Sequence, residues 1–64
     1  MSTDTVIITV EKILIDSGLA ILVAYEGTDY WIPKSQLFGY DGHVGDIDAQ
    51  LEVAQWVLEE KGMV

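Results

Sequence analysis

From Thr5 to Val53 the chain alternates between apolar and polar or turn-forming positions, at a spacing closer to two residues than to the 3.6 of a helix. Thr5 to Ile15 reads as a first strand. Val6, Ile8, Val10 and Leu14 share one parity, interrupted by Lys12; Thr5, Ile7, Thr9, Glu11, Ile13 and Ile15 share the other. The change of pattern at Glu11-Lys12 predicts a bulge or a strong twist. Asp16-Ser17-Gly18 is a turn, because Asp and Ser bond nearby backbone and Gly accepts positive φ.

Leu19 to Tyr25 is the second strand. Leu19, Ile21, Val23 and Tyr25 face one way; Ala20, Leu22 and Ala24 face the other. Neither face is polar, so both must be covered. Glu26-Gly27 turns the chain into a third strand, Thr28 to Ile32. Pro33 has no amide hydrogen and belongs at a sheet edge, a bulge or a strand end. Beyond it Lys34-Ser35-Gln36 is exposed polar backbone. Phe38 to Gly45 holds three glycines in eight residues and is expected to be a loop.

Asp46 to Val53 alternates again, with Ile47, Ala49, Leu51 and Val53 inward and Asp46, Asp48, Gln50 and Glu52 outward. A helical stripe through Ile47, Leu51, Ala54 and Leu58 competes from Asp48 onward; the eight alternating positions favour a fourth strand. Ala54 to Lys61 is expected to be helical, with Trp56, Val57 and Met63 on the sheet and Gly62 as the stop. The expected fold is α+β in one domain: a four-stranded antiparallel sheet, then one C-terminal helix.

Length changes the picture. A chain of 64 residues buries only about 60% of its unfolded surface, and domains of this size usually need a staple. There is no cysteine, so a disulfide and a thiolate metal site are excluded. With half the residues hydrophobic, and one strand apolar on both sides, the expected staple is self-association into a dimer or higher oligomer. No apolar run approaches the ~20 residues of a membrane span. The first residues, Met-Ser-Thr-Asp, lack the basic region of an export signal, so the cytoplasm is the expected compartment.

The formal charge is −8, with three Lys+Arg in all, each a lysine. Lys12, Lys34 and Lys61 cannot supply the broad cationic face that neutralises phosphates. Acidity suits solubility, repulsion of DNA, or docking on a basic protein.

Candidate chemistry is sparse. His43 lies in the glycine-rich loop beside Asp41, Asp46 and Asp48, where a solvated imidazole is the ordinary role. The aspartates do not follow the calcium-loop spacing. Asp16 ordinarily caps its turn; as a catalytic or Mg²⁺-binding group it would act with Asp46 or Asp48, across subunits. Trp31, Tyr30, Tyr25 and Tyr40 are aromatic groups able to stack bases or to fill a core or interface. Trp31, Lys34, Gln36 and Tyr40 are the expected contact surface.

Two segments, Trp31-Ile32-Pro33-Lys34-Ser35-Gln36-Leu37 and Leu51-Glu52-Val53 with Trp56 and Glu60-Lys61-Gly62, resemble a group of short proteins of bacteria, phages and prophages. In that group a strand carrying "WIPKSQ" precedes an acidic loop, a strand and a "W…EKG" helix. The expected strand order is similar to the fold of the transcriptional positive cofactor four, which pairs chains into dimers and binds single-stranded DNA. Small phage proteins of similar fold include anti-CRISPR factors, with DNA nicking as an activity among them. No catalytic residue is carried over from this resemblance. The chain departs from it in lacking arginine, in its negative charge, and in Ala54, which stands where a helix-starting proline is expected.

The resemblance implies a small acidic interaction protein of a phage or mobile element, a counter-defence factor without a cofactor, whose partners are itself and a basic host defence protein. The alternatives are a nucleic-acid-binding module with Mg²⁺-dependent nicking, and a structural accessory subunit.

Overall fold

The structure, a computed structural model, describes residues 4–40 and 42–63. Met1 to Thr3 of the expected N-terminal tail, and Asp41, lie outside the described residues. The elements are β1 (Thr5–Asp16), β2 (Ala20–Tyr25), β3 (Thr28–Pro33), a single 3₁₀ turn (Lys34–Gln36), β4 (Leu37–Tyr40), β5 (Ile47–Ala54) and α1 (Gln55–Glu60). The strands form one antiparallel sheet in the order β3-β2-β1-β5-β4. The α+β class and the C-terminal helix are as the pattern implies; the sheet has five strands, not four.

The additional strand is β4, inside the stretch expected to be a loop. Gly39 pairs with Glu52, and a Cβ on it would come within 3.0 Å of the Glu52 Cβ. This glycine therefore permits close approach of two strands and does not break one. Phe38 is an extra residue in the ladder, since the register shifts between Leu37 and Gly39.

β2 and β3 are joined by Glu26-Gly27, with φ of 49° and 79°. Two positive values in a two-residue loop are the mirror-image turn that suits the twist of a hairpin. Tyr25 and Tyr30 meet edge to face at its base, with ring centroids 6.4 Å apart. Leu19, expected to open β2, lies in the preceding turn and is 85% exposed.

One face of the sheet carries Ile8, Val10, Ile13, Ile21, Val23, Ile32, Leu51 and Val53, all buried. Val57 and Leu58 from α1, and Met63 after it, join them in a single core. The helix ends in a Schellman motif: Gly62 N–H bonds Glu59 O, Met63 N–H bonds Leu58 O, and Gly62 has φ of 74°. Trp56, expected on the sheet, is exposed, and Leu58 takes the inward place.

The expected irregularity in β1 is present. Glu11 and Lys12 are both exposed, and the buried positions pass from even numbering at Ile8 and Val10 to odd numbering at Ile13. On the facing strand Asp48 has φ of 52°. The alternation of β5 breaks there, so Ile47, expected inward, is 70% exposed while Leu51 and Val53 are buried. A second shift lies between Ile13 and Ile15 against β2. Asp tolerates the left-handed region better than other side chains, and a β-branched residue does not. Asp48→Val should therefore cost about 1–2 kcal/mol. Asp48→Gly should stay within about 0.5 kcal/mol, because relief of strain offsets added unfolded-state freedom. Urea unfolding of both variants checks the sign of the difference.

No helix among the described residues is long and apolar enough to cross a membrane.

Candidate interaction surface

Because α1 covers one face, the other face of the sheet is open. β-strand alternation sends Trp31, Leu22 and Ile15 to it. They are neighbours across three strands: Trp31 pairs with Leu22, and Leu22 with Ile15. Trp31 is 44% exposed and Ile15 48%, with Leu22 half-buried between them. Pro33 and Ala20 form the row on one side, and Asp29, Ala24 and Lys12 the row on the other. The result is an apolar band that ends in charge.

Trp31 belongs to the expected contact surface; Ile15 and Leu22 do not, and the structure places them beside it. Their signal in the sequence is the second strand, apolar at both parities, which requires cover on both sides.

The turn after β1 forms a polar corner. Asp16 Oδ1 accepts the Gly18 N–H at 2.9 Å and lies 2.8 Å from Lys34 Nζ, which also donates to Asp16 Oδ2 at 3.0 Å. Lys34 is held in place by its own N–H, which bonds Leu19 O at 2.9 Å. The Lys34 hydrogen bond first, then the Gly18 amide, hold the Asp16 carboxyl below its ordinary 3.8. Tyr40, packed against the core, has its phenol raised by burial and then by the charge of Asp16, and stays protonated.

Asp46 closes the neighbouring turn. Its Oδ2 accepts the His43 N–H at 2.9 Å, and its own N–H bonds His43 O at 3.0 Å. The turn is stitched to β1 through Ile13 N–H to Asp46 O and Gly45 N–H to Ile13 O. The His43 imidazole is 89% exposed and 4.0 Å from the Asp46 carboxylate.

The structure thus brings Asp16, Lys34, Tyr40 and Asp46 to one end of the molecule. Asp48 is exposed further along β5. Among the described residues no group of three His, Cys, Asp or Glu is arranged to hold a metal ion. In this arrangement Asp16 anchors Lys34 and ties the β1–β2 turn to the segment after β3. Trp31 lies on the open face, Lys34 at the polar corner, Gln36 half-buried in the 3₁₀ turn, and Tyr40 against the core under the covered face.

The Asp16–Lys34 pair carries a pH dependence. A carboxyl lowered in the folded state contributes stability that is present above its unfolded value and is lost as pH falls through the folded one. Wild-type and Asp16→Asn chains should therefore differ at neutral pH and converge as pH falls through and below the ordinary carboxylate range. Thermal midpoints measured from pH 7 downward check this, with a modest gap because the pair is solvated.

No protein family, curated protein or solved structure matches the chain.

Proposed function

We propose that this chain is a non-catalytic interaction protein of a phage or other mobile element. It acts in the host cytoplasm as a counter-defence factor of the anti-CRISPR kind, self-associates, and docks on a basic host defence protein. The observation that carries the docking is the uncovered apolar band of Trp31, Leu22 and Ile15 on a chain of charge −8. A large aromatic in an apolar patch beside polar residues has the composition of an interface centre. The net charge selects a cationic partner and speeds encounter with it. The phage context rests on the resemblance in the Trp31–Leu37 and Leu51–Gly62 segments and on small size.

The test has two parts. Expression in a host with an active CRISPR system should restore plaques of a targeted phage, and the tagged chain should retain a basic component of that system in purified form. Unchanged plaque counts, with no binding to purified effector, would remove the counter-defence reading. Incubation with supercoiled plasmid in Mg²⁺ or EDTA covers the remaining chemistry. Nicking in Mg²⁺ that disappears in Asp16→Ala would replace the proposal with an enzyme.

A further inference from the structure

The sheet has an opening in its middle. β5 flanks β1 from Thr5 to Lys12, but β2 flanks it only from Lys12 to Asp16. Among the described residues no strand lies on the β2 side of Thr5 to Val10. The lane ends where the hairpin tip meets β1, with the Gly27 N–H bonded to Glu11 Oε1 at 2.9 Å. Gln55 N–H bonds Asp4 O, which fixes the sense of the alternation. Up to Val10, even-numbered residues of β1 turn their amides and carbonyls to β5, and Thr5, Ile7 and Thr9 turn theirs to the lane.

The other two edges are guarded. β3 ends in Pro33 and carries Asp29; β4 is four residues long and bulged at Phe38. Proline, charge, shortness and bulges are the devices that stop strands from pairing. The lane has none of them. Thr5-Val6-Ile7-Ile8-Thr9-Val10 is uncharged and β-branched at every position, the composition that best fits a pleated partner. Ile7 in its centre is 65% exposed.

We propose that the occupant of this lane is the same strand of a second copy, joined about a two-fold axis at Ile7. In that register Ile7 faces Ile7, Thr5 faces Thr9, and Val6 faces Ile8. Every outward amide and carbonyl of Thr5, Ile7 and Thr9 then finds a partner. A two-fold at Ile8 would set Thr5 against Glu11, where the hairpin tip already sits. Like-charged copies of −8 approach with least repulsion along an uncharged strand, so the dimer should tighten as salt rises. A two-fold perpendicular to the sheet keeps both helices on one side and both Trp31 bands on the other. The inference rests on the self-association proposed above and specifies its surface.

The cysteine-free chain allows a direct test. Opposed backbone positions in the proposed pair lie about 5.5 Å apart at Cα, inside the range of about 4.4–6.8 Å that a disulfide spans. Ile7→Cys should form a covalent dimer on mild oxidation. Thr9→Cys should not, since its thiols would sit about 13 Å apart. Ile7→Lys, at a position already exposed in the single chain, should return the species from twice the chain mass to 7.1 kDa by light scattering, with an unchanged circular dichroism spectrum. A dimer that survives Ile7→Lys, with no cross-link through Ile7→Cys, would overturn the β1 pairing and leave self-association through another surface. A wild-type chain that scatters as a monomer at micromolar concentration, and does not cross-link through Ile7→Cys, would overturn both.

Discussion

Ile13→Ala is expected to leave the chain largely unfolded at room temperature, while Ile15→Ala, two residues on, changes little. Ile13 has no exposed surface, pairs with Val23, and sits where Gly42 leaves room for it: a Cβ on Gly42 would lie 2.7 Å from Ile13 Cδ1. Truncating a buried isoleucine to alanine costs about 2–5 kcal/mol, through lost transfer energy and the cavity left behind. A single core in a domain below about 70 residues rarely supplies more than about 3–5 kcal/mol in total. The two quantities are of the same size, so the variant has little folded population left. Ile15 is 48% exposed on the open face, and substitution there should cost less than about 1 kcal/mol in the isolated chain. Urea unfolding followed by far-UV circular dichroism measures both. Equal losses at the two positions would mean that β1 does not change faces at the register shift between Ile13 and Ile15.

That contrast marks where the sequence is legible. Strand-forming runs of β-branched and aromatic residues locate β1, β2, β3 and β5 to within a residue or two, because side-chain alternation writes the burial of each strand directly. The interruption at Glu11-Lys12 is visible as a break in that alternation. Its effect on the far strand is not visible. Asp46 to Val53 alternates without a fault in sequence, yet the positive φ of Asp48 sends Ile47 outward. A backbone angle of this kind leaves no trace in an apolar–polar pattern when the residue adopting it is an ordinary surface aspartate.

β4 is hidden for a related reason. Glycine spacing signals turns, and Gly39 is a glycine because of its distance from Glu52, which depends on a partner strand distant in sequence. The short helix shows the same limit at smaller scale. Either Trp56 or Leu58 could serve an amphipathic stripe of six residues, and the core takes Leu58. The polar corner is not legible: Asp16 is expected to act with Asp46 or Asp48 only across subunits, whereas Asp16 and Asp46 lie at one end of a single chain. The ion pair of Asp16 with Lys34 crosses eighteen positions of sequence and is found only in the fold.

The open face follows from this arithmetic of layers. A six-residue helix and its Schellman turn close one side of a five-stranded sheet, and the described residues hold no further element for the other side. Burial of the covered side fixes the fold, and the apolar band opposite is left over from that purpose. Substitutions on the two faces should therefore separate stability from binding.

Under the proposed function, Trp31→Ala should reduce affinity for the host partner by about 30-fold or more, equivalent to about 2 kcal/mol, and leave the unfolding midpoint nearly unchanged. Tryptophan at the centre of an interface owes its large effect to the area it desolvates in one rigid side chain. Trp31 is the one large aromatic of the band, on edge strand β3, with Leu22 and Ile15 in line beside it and charged residues one row away. The matched control is Trp56→Ala. Trp56 is 53% exposed, comparable to Trp31, but stands on α1 and away from the band. If acidity alone drew the partner, the two variants would bind alike, because neither changes the charge, and binding would vanish as salt screens it. If the band is the interface, only Trp31→Ala loses affinity, and a salt-resistant component survives in the wild type. Titration of labelled chain with purified partner at two salt concentrations decides between them, and equal affinities for both variants would remove Trp31 from the interface.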